Sequence, residues 1–173
     1  MIDAAEFRRA MGQFATGVTV VTTRDPQGRP LGLTVNSFCS VSLEPPLVLV
    51  CIDHRSETHD GFEASHVFGV SVLAEGQEDV SQRFASGGPA KFAGAALATG
   101  RDGVALVPGA LAHLECRIVS AHEAGDHTIY VGEVVRLSVS PGRPLLYHAS
   151  GYRRVDADGK PAHEPGAAGQ DRV

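Results

Sequence analysis

Apolar and small polar side chains alternate from Leu33 to Leu43, the clearest pattern in this 173-residue chain. An alternation with a period of two predicts a strand with one apolar and one polar face. The polar face has no charged side chain before Glu44, so its short groups leave the backbone open to a flat ligand. Taken alone, the alternation favours an ordinary half-buried strand. The apolar positions are Leu33, Val35, Cys39, Val41 and Leu43, and the polar face carries Thr34, Asn36, Phe38, Ser40 and Ser42.

Residues 4–13 carry the pattern of a short amphipathic helix. Asp3 and Glu6 have capping-box spacing, with Asp in place of Ser or Thr. Phe7, Met11 and Phe14 follow at the spacing of one helix face. Two further short helices are predicted over residues 56–62, with Ser56 as the candidate N-cap, and over residues 77–84.

β-branched and apolar runs predict the remaining strands. Residues 47–52 are apolar at every position, so a buried strand without alternation is expected there. Asp25–Gly28 and Gly125–Asp126 are turn sequences that predict hairpins. The segment 87–108 has little periodicity, and connections of that length are usually functional. Strands are predicted at residues 16–23, 33–44, 47–52, 67–73, 111–123, 127–140 and 145–148.

About six or seven strands with only short helices predict a mainly β fold, an antiparallel barrel or sandwich. Side chains fill the interior of a six-stranded barrel, so a ligand must bind on the outside or between subunits. One domain is expected over residues 1–155. Residues 156–173 are rich in Gly, Pro, Ala and charged residues and are predicted to form a disordered C-terminal tail.

Composition and charge narrow the classes of function. Hydrophobic residues make up 43% of the chain and charged residues 20%, as in ordinary globular proteins. The net charge of −5 argues against a nucleic-acid partner bound through its phosphates. The sequence has neither an apolar run long enough for a membrane helix nor a signal-peptide pattern, so a cytoplasmic location is expected. Its three separated cysteines are typical of small buried side chains in a reducing compartment.

The loop after the 47–52 strand offers groups that bind phosphate. Arg55, Ser56 and Thr58 provide a guanidinium group, two hydroxyls and the amides of a following helix. A solvated loop with a helix cap explains the same residues equally well. Lys91 could add a second positive charge, although a solvated lysine is the simpler interpretation of that residue alone.

The turn Gly125-Asp126-His127 is open to two interpretations. Gly and Asp suit a tight turn, and an imidazole beside a carboxylate could also orient a substrate amide next to a cofactor. Glu133 interrupts the apolar odd-numbered positions of the 127–140 strand and is expected to need a buried partner.

Several common kinds of site are not expected. The histidines lack the spacing of zinc or iron sites, so no metal is predicted. There is also no dinucleotide-binding glycine motif, phosphate-binding P-loop or hydrolase nucleophile motif.

Taken together in order, these motifs resemble the short-chain flavin reductases, the reductase components of two-component flavin-dependent monooxygenases. The resemblance covers about residues 5–155. It rests on the order and spacing of Phe14–Thr22, Gly32–Val48, Arg83-Phe84, Lys91-Phe92, Gly125-Asp126-His127, Pro144–Tyr147 and Gly151-Tyr152.

The resemblance implies a six-stranded antiparallel Greek-key split barrel with a few short flanking helices, assembled as a homodimer with flavin at the subunit interface. It also implies ligand contacts for three groups of residues. Thr34, Val35, Asn36, Ser37 and Ser40 would face the flavin ring. Cys51, Ile52, Asp53, Arg55, Ser56 and Thr58 would hold the ribityl phosphate, and Phe84, Lys91 and Phe92 would contact the phosphate side or an adenylate. Asp126, His127 and Tyr152 would bind the nicotinamide, with His127 as the catalytic candidate.

The implied reaction is hydride transfer from NADH, or NADPH, to N5 of FMN, or FAD, which supplies reduced flavin to a partner monooxygenase. The protein mainly has to hold the two rings in contact, because the cofactors carry the chemistry. Three alternatives stay open: an electron-transfer protein with tightly bound flavin, a reductase of a ferric chelate or corrinoid, and a non-enzymatic β-barrel interaction subunit.

Overall fold

The computed structural model describes residues 2–155, so the predicted tail at 156–173 lies outside the described residues. Within them the chain forms α-helices at Ala4–Met11 (α1), His59–Ser65 (α2) and Glu78–Ala85 (α3), with a 3-10 turn at Pro89–Phe92. The strands are Thr16–Gly17 (β1), Thr19–Arg24 (β2), Pro30–Val35 (β3), Cys39–Leu43 (β4), Pro46–Asp53 (β5), Val67–Val72 (β6), Ala98–Thr99 (β7), Ala105–Leu106 (β8), Ala112–Ala124 (β9), His127–Val139 (β10), Leu146–His148 (β11) and Gly151–Arg153 (β12).

Seven strands form one antiparallel sheet in the order β3-β2-β6-β9-β10-β5-β4. Its two edge strands, β3 and β4, are consecutive in the chain and are joined by only three residues, Asn36–Phe38. Because so short a link cannot span an open seven-stranded sheet, the sheet must curl until its edges approach each other. The mainly β antiparallel class is therefore confirmed, with seven strands in the main sheet instead of six.

The predicted strand over residues 33–44 is two strands, because the chain leaves β3 at Val35 and enters β4 at Cys39. The alternation therefore does not define one continuous face. Val41 and Leu43, on the predicted apolar face, are exposed, whereas Phe38, on the predicted polar face, packs against the core.

Two apolar clusters fill the interior. The larger one surrounds Phe62, Phe68 and Tyr130, and Phe62 stacks on Tyr130 with ring centroids 4.9 Å apart. The second cluster, around Phe84 and Leu145, joins α3 to the small sheet β1-β11-β12. The core is thus closed by side chains, as expected for a small barrel.

The long β9–β10 hairpin is confirmed at the predicted turn, but its inward positions differ from the prediction. Thr128, Tyr130 and Gly132 point inward, so the even-numbered residues of β10 face the core and Glu133 lies on the outer, half-exposed side. The prediction of a buried Glu133 was wrong, because the aromatic ring of Tyr130 occupies the core in place of the neighbouring aliphatic side chains.

Other local predictions need smaller corrections. β5 does alternate, with Val48, Val50 and Ile52 buried and the intervening side chains half-exposed. α2 begins at His59 rather than at Ser56, whose hydroxyl accepts a hydrogen bond from the Thr58 amide at 3.3 Å. Cys39 is exposed, Cys51 half-buried and Cys116 buried, so the prediction of buried cysteines was wrong for Cys39. It lies on edge strand β4, where no element of residues 2–155 covers it.

The 87–108 connection is held by buried polar groups. The carboxylate of Glu115, a buried residue of β9, accepts a hydrogen bond from the Arg101 amide of this connection at 2.7 Å. The Val107 amide donates to the Ser71 hydroxyl at 3.0 Å. These bonds fix a segment that has little regular structure of its own. No helix within residues 2–155 is long and apolar enough to cross a membrane.

Candidate functional site

An open cavity of about 220 Å³ lies between the end of β3, helix α3 and the small sheet; we call it the Tyr152 cavity. It brings the predicted residues Thr34, Val35 and Asn36 to one place with Tyr152. Its full lining is Val18, Thr34, Val35, Asn36, Ser81, Ala85, Tyr147 and Tyr152.

Ser81 on α3 ties two walls of the Tyr152 cavity together. The Thr34 hydroxyl donates to the Ser81 carbonyl at 2.7 Å, and the Tyr152 hydroxyl donates to Ser81 Oγ at 2.8 Å. Tyr147 packs edge-on against Tyr152, with ring centroids 5.6 Å apart. The tyrosine rings are therefore held in fixed positions, and the Tyr152 hydroxyl is already engaged. The sequence gives no signal for the part played by Ser81, because nothing around it distinguishes it from an ordinary helix serine.

The Asn36–Phe38 link continues the site onto the outer side of β5. The Ser37 hydroxyl bonds both backbone groups of Cys51, accepting from its amide at 3.1 Å and donating to its carbonyl at 3.2 Å. The pairing of β4 with β5 begins at Cys39, opposite Leu49, and does not reach Cys51. At Cys51 the Ser37 hydroxyl makes the hydrogen bonds that a neighbouring strand would otherwise make with β5. Partial burial raises the pKa of the Cys51 thiol, which keeps it neutral.

At the end of β5, four of the predicted residues meet at the tip of the β9–β10 hairpin. Asp53 is the strand partner of His127, and its carboxylate pairs with Arg55 at 2.8 Å. Asp126 Oδ1 lies 2.7 Å from His127 Nδ1. The hydrogen bond from Arg55 holds the pKa of Asp53 far below its usual range, and the His127 contact lowers the pKa of Asp126. Both carboxylates are therefore charged near neutral pH.

Cys51 and Asp53 are two residues apart on β5, which corresponds to about 7 Å along a strand. Because Cys51 bonds Ser37 and Asp53 pairs with His127, the Asn36–Phe38 link and the hairpin tip adjoin on the same part of the sheet. Tyr152, the other predicted nicotinamide residue, lies in the Tyr152 cavity instead, so the structure divides the predicted nicotinamide residues between two places.

A hydrogen-bonded cluster lies behind the hairpin tip. Thr128 Oγ1 contacts the Nε2 atoms of His54 and His59 at 3.1 and 2.9 Å, and the Tyr130 hydroxyl lies 3.2 Å from the same His59 nitrogen. Burial raises the pKa of Tyr130 to about 12. The cluster fixes the β5–α2 loop against β10. Within residues 2–155, no group of three or more His, Cys, Asp or Glu side chains is arranged to hold a metal ion.

A second cavity, of about 260 Å³, contains Lys91 and is called the Lys91 cavity. Lys91 is only 8% exposed, and its ammonium donates to the Ser86 carbonyl at 3.2 Å, so it is not an ordinary solvated lysine. Burial lowers its pKa. The lining also includes Glu57, whose carboxylate accepts from the Gly88 amide at 2.9 Å. The lining is Asp25, Arg29, Pro30, Leu31, Glu57, Thr58, Gly88, Pro89, Lys91 and Phe92.

Besides Lys91, three of the predicted cofactor-binding side chains are almost fully buried. Ile52 and Phe84 belong to the apolar clusters, and Thr58 is almost fully buried beside the Lys91 cavity. Phe84 packs edge-on against Phe92, with centroids 5.2 Å apart. Ile52 and Phe84 can therefore support a site but cannot cover a ligand. Ser40 is exposed on edge strand β4.

Comparison with known proteins gives a consistent set of matches. The family model described as a flavin reductase like domain matches residues 11–156. The chain is 45% identical over 152 residues to the FMN reductase (NADH) SmoA of Agrobacterium fabrum, covering 88% of this chain and 86% of that protein. It is 42% identical over 158 residues to HsaB, the reductase subunit of a flavin-dependent monooxygenase of Rhodococcus jostii, covering 91% of this chain and 80% of that protein.

Among solved structures, the fold is similar to the NADH:FAD oxidoreductase SgcE6 of Streptomyces globisporus in complex with NAD and FAD fragments. The TM-score is 0.86 and the sequence identity 42%, over 91% of this chain and 96% of that one.

Proposed function

The chain belongs to the family of flavin reductase-like domains, and on that premise we propose that it is a flavin reductase. It transfers a hydride from NADH to N5 of FMN or FAD and releases the reduced flavin to a partner monooxygenase. Relatives named as NADH-dependent FMN and FAD reductases and as a monooxygenase reductase subunit support this reaction.

One observation carries the proposal: Asn36 lines the Tyr152 cavity, and the next residue, Ser37, bonds Cys51 two residues along β5 from the strand partner of His127. The surface along this path is made of short polar side chains and tyrosine rings. Short side chains allow a flat ring to approach the backbone, and hydroxyl and amide groups match the polar edge of a flavin. The residues present therefore fit a flavin. When bound, the flavin supplies the hydride-accepting chemistry, and the protein supplies contact and alignment.

Thr34, Val35, Asn36 and Ser37 are assigned to the flavin ring. The hydroxyls of Ser37 and Thr34 each donate a hydrogen bond to a backbone carbonyl, and these bonds fix the segment before a ligand binds. A segment fixed in advance loses less conformational entropy on binding.

Arg55 and Lys91 are assigned to the phosphate side of the flavin. Arg55 is exposed and paired with Asp53, so it must turn from that carboxylate to reach a phosphate. Lys91 is partly desolvated, and its charge acts in a medium that screens it less than water does. Neutralising either residue should weaken FMN binding, and the loss should shrink as salt is raised.

Fluorescence titration of FMN against R55Q and K91Q, at low and high salt, checks this assignment. Riboflavin, which lacks the phosphate, is the matched ligand and should bind the wild type and both variants equally. Equal affinity of the wild type for FMN and riboflavin would remove the phosphate assignment.

His127 is assigned to the nicotinamide half of NADH, beside Asp126. The Asp126 carboxylate lies against its imidazole and fixes the orientation of the ring, which suits a positioning contact. Asp126 Oδ1 lies 2.7 Å from Nδ1, and within residues 2–155 the other ring nitrogen makes no hydrogen bond, so it is assigned to face the substrate.

Homodimer formation belongs to the same proposal. Large apolar side chains are exposed on α1, just after α1 and on edge strand β4 of the protomer: Phe7 is 58%, Phe14 70% and Leu43 95% exposed. Exposed apolar groups of this size support a protein interface. The three free cysteines support a reducing compartment, and with NADH as the substrate we propose the cytoplasm.

The main alternative is a protein that keeps its flavin and passes single electrons on. The two functions differ in how tightly flavin is held, and a reductase that supplies a second enzyme must release its product. NADH oxidation measured without flavin and with FMN, FAD or riboflavin, and repeated with NADPH, tests the proposal. Oxidation that depends on added flavin and saturates with it supports a reductase. A non-enzymatic subunit would give no oxidation with any flavin.

A further inference from the structure

Thr128 is the centre of the hydrogen-bonded cluster behind the hairpin tip. It is 1% exposed and faces the interior, whereas its chain neighbour His127 faces the outer side, because successive side chains of a strand point to opposite faces. Its strand partners are Glu123 on β9 and Ile52 on β5. Thr128 therefore lies directly behind the last pair of residues before the turn, the pair that contains His127.

The Thr128 hydroxyl uses all of its hydrogen-bonding capacity. It donates its proton to Glu123 Oε1 at 3.2 Å. Nε2 of His54 and Nε2 of His59 lie 3.1 and 2.9 Å from the same oxygen. Since a hydroxyl has one proton and two lone pairs, both imidazole nitrogens must donate to it. These three bonds fix the Thr128 side chain and join the β5–α2 loop and helix α2 to the hairpin.

His54 holds the turn of the hairpin from the same side. Its Nε2 also lies 3.1 Å from Glu123 Oε2, and its backbone amide donates to the Asp126 carbonyl at 3.0 Å. Within residues 2–155 the His127 side chain has one hydrogen-bond partner, Asp126, which belongs to the turn and moves with it. The place of the His127 imidazole relative to the sheet therefore depends on the bonds that hold the turn.

We propose that Thr128 is a positioning residue for His127: its hydroxyl, bonded to His54, His59 and Glu123, holds the hairpin tip where the imidazole meets the nicotinamide half of NADH. The inference rests on the proposed function, in which His127 makes that contact. Thr128 faces the interior and does not touch substrate, so its effect on NADH acts through His127. A small displacement of a group that aligns two reacting rings is enough to slow the transfer between them.

T128V tests the role of the hydroxyl. His54 keeps Glu123 as a partner, and His59 keeps the Tyr130 hydroxyl at 3.2 Å, so neither imidazole nitrogen loses every partner and the variant should fold. T128V should lower kcat/KM for NADH about three- to fivefold, the value of one neutral hydrogen bond, while KM for FMN changes by less than about twofold. T128S keeps the hydroxyl and should stay within about twofold of the wild type for both substrates.

The H127A background separates positioning from a general loss of structure. With the imidazole absent there is nothing left to position, so adding T128V to H127A should change kcat/KM for NADH by less than about 1.5-fold. T22V is the matched control, because Thr22 is also fully buried and its hydroxyl donates to the Ala105 carbonyl on the far side of the sheet order, between β2 and β8. T22V should lower the melting temperature and leave kcat/KM for NADH unchanged.

Glu123 provides a second variant that does not disturb the core, since its side chain is 73% exposed. E123A removes the acceptor shared by Thr128 and His54 and should lower kcat/KM for NADH about twofold to threefold. E123Q removes the charge but keeps an acceptor oxygen, so it should stay closer to the wild type than E123A does.

A wild-type kcat/KM for NADH in T128V would overturn the positioning role, as would an equal loss from T128V with and without His127. If T128V does not fold, a wild-type kcat/KM in E123A would overturn the role in its place. If the wild type does not oxidise NADH with any flavin, the proposed function itself fails, which is a different result from a failure of the positioning role.

Discussion

Replacing Tyr152 with phenylalanine tests how the walls of the Tyr152 cavity are held. The hydroxyl donates to Ser81 Oγ at 2.8 Å, and Ser81 is only 1% exposed. The net value of one neutral hydrogen bond is about 1 kcal/mol, and a buried partner left unpaired costs about 1–3 kcal/mol. Y152F should therefore lower the free energy of unfolding by about 1–2 kcal/mol, or the melting temperature by roughly 2–8 °C for a domain of this size.

Replacing Ser81 with alanine should lower the free energy of unfolding by less than Y152F does. Tyr152 is half-exposed at the cavity wall, so in S81A its hydroxyl still reaches water. In the double variant both partners are absent and no buried group is left unpaired. The double-mutant cycle should therefore show a coupling free energy of about 1 kcal/mol between the two residues.

Urea unfolding followed by far-UV circular dichroism measures all four free energies, and equal m-values confirm that the same transition is compared. The kinetic readout is independent: because the ring of Tyr152 stays in place, the KM for NADH should change by less than about twofold in Y152F. If the stability losses of Y152F and S81A simply add in the double variant, the hydrogen bond between Tyr152 and Ser81 does not stabilise the cavity wall. A large rise in KM would show that the hydroxyl itself binds substrate.

Three further predictions follow from other parts of the site and fold. H127A should lower kcat/KM for NADH about tenfold while FMN affinity stays constant, and unchanged turnover would remove the role of His127. G132A should destabilise the protein by about 1–3 kcal/mol in urea unfolding, because its methyl group would fall against the buried ring of Phe68; unaltered stability would contradict that packing. Asp53 has a lowered pKa in the folded state, so its stabilising effect is present above the unfolded pKa near 3.9 and is lost as the pH falls towards the folded value. D53N should therefore unfold with a weaker dependence on pH below about pH 4, and an acid-unfolding curve identical to the wild type's would exclude this contribution.

Much of the fold could be predicted from the sequence because strand period and turn chemistry are local. The 127–140 strand and its Gly125–Asp126 turn have the predicted place, and Asp3 caps α1 by accepting from the Glu6 amide at 2.7 Å. The break at Asn36–Phe38 could not be seen, because alternation continues across it while the chain changes from one sheet edge to the other.

Long-range pairing also decided which residues sit in the site. Lys91 is buried because the Gly87–Pro108 connection folds back onto the β2–β3 hairpin, and no local pattern reports that contact. Ser81 also depends on a distant neighbour, because its hydroxyl is bonded to Tyr152. The prediction placed the odd-numbered residues of β10 inward, whereas the even-numbered residues face the core. Aliphatic residues occur on both faces of this strand, so only the packing with other elements decides which face is buried.

The central claim is that flavin is a substrate reduced by NADH at this site and then released. The most direct measurement is anaerobic: NADH is added to protein with FMN in large excess, and the loss of visible flavin absorbance is followed against NADH consumed. The proposed reductase should reduce the whole flavin pool through many turnovers, with one NADH oxidised for each FMN. Reduction of only one flavin per protein, or no reduction at all, would contradict the claim.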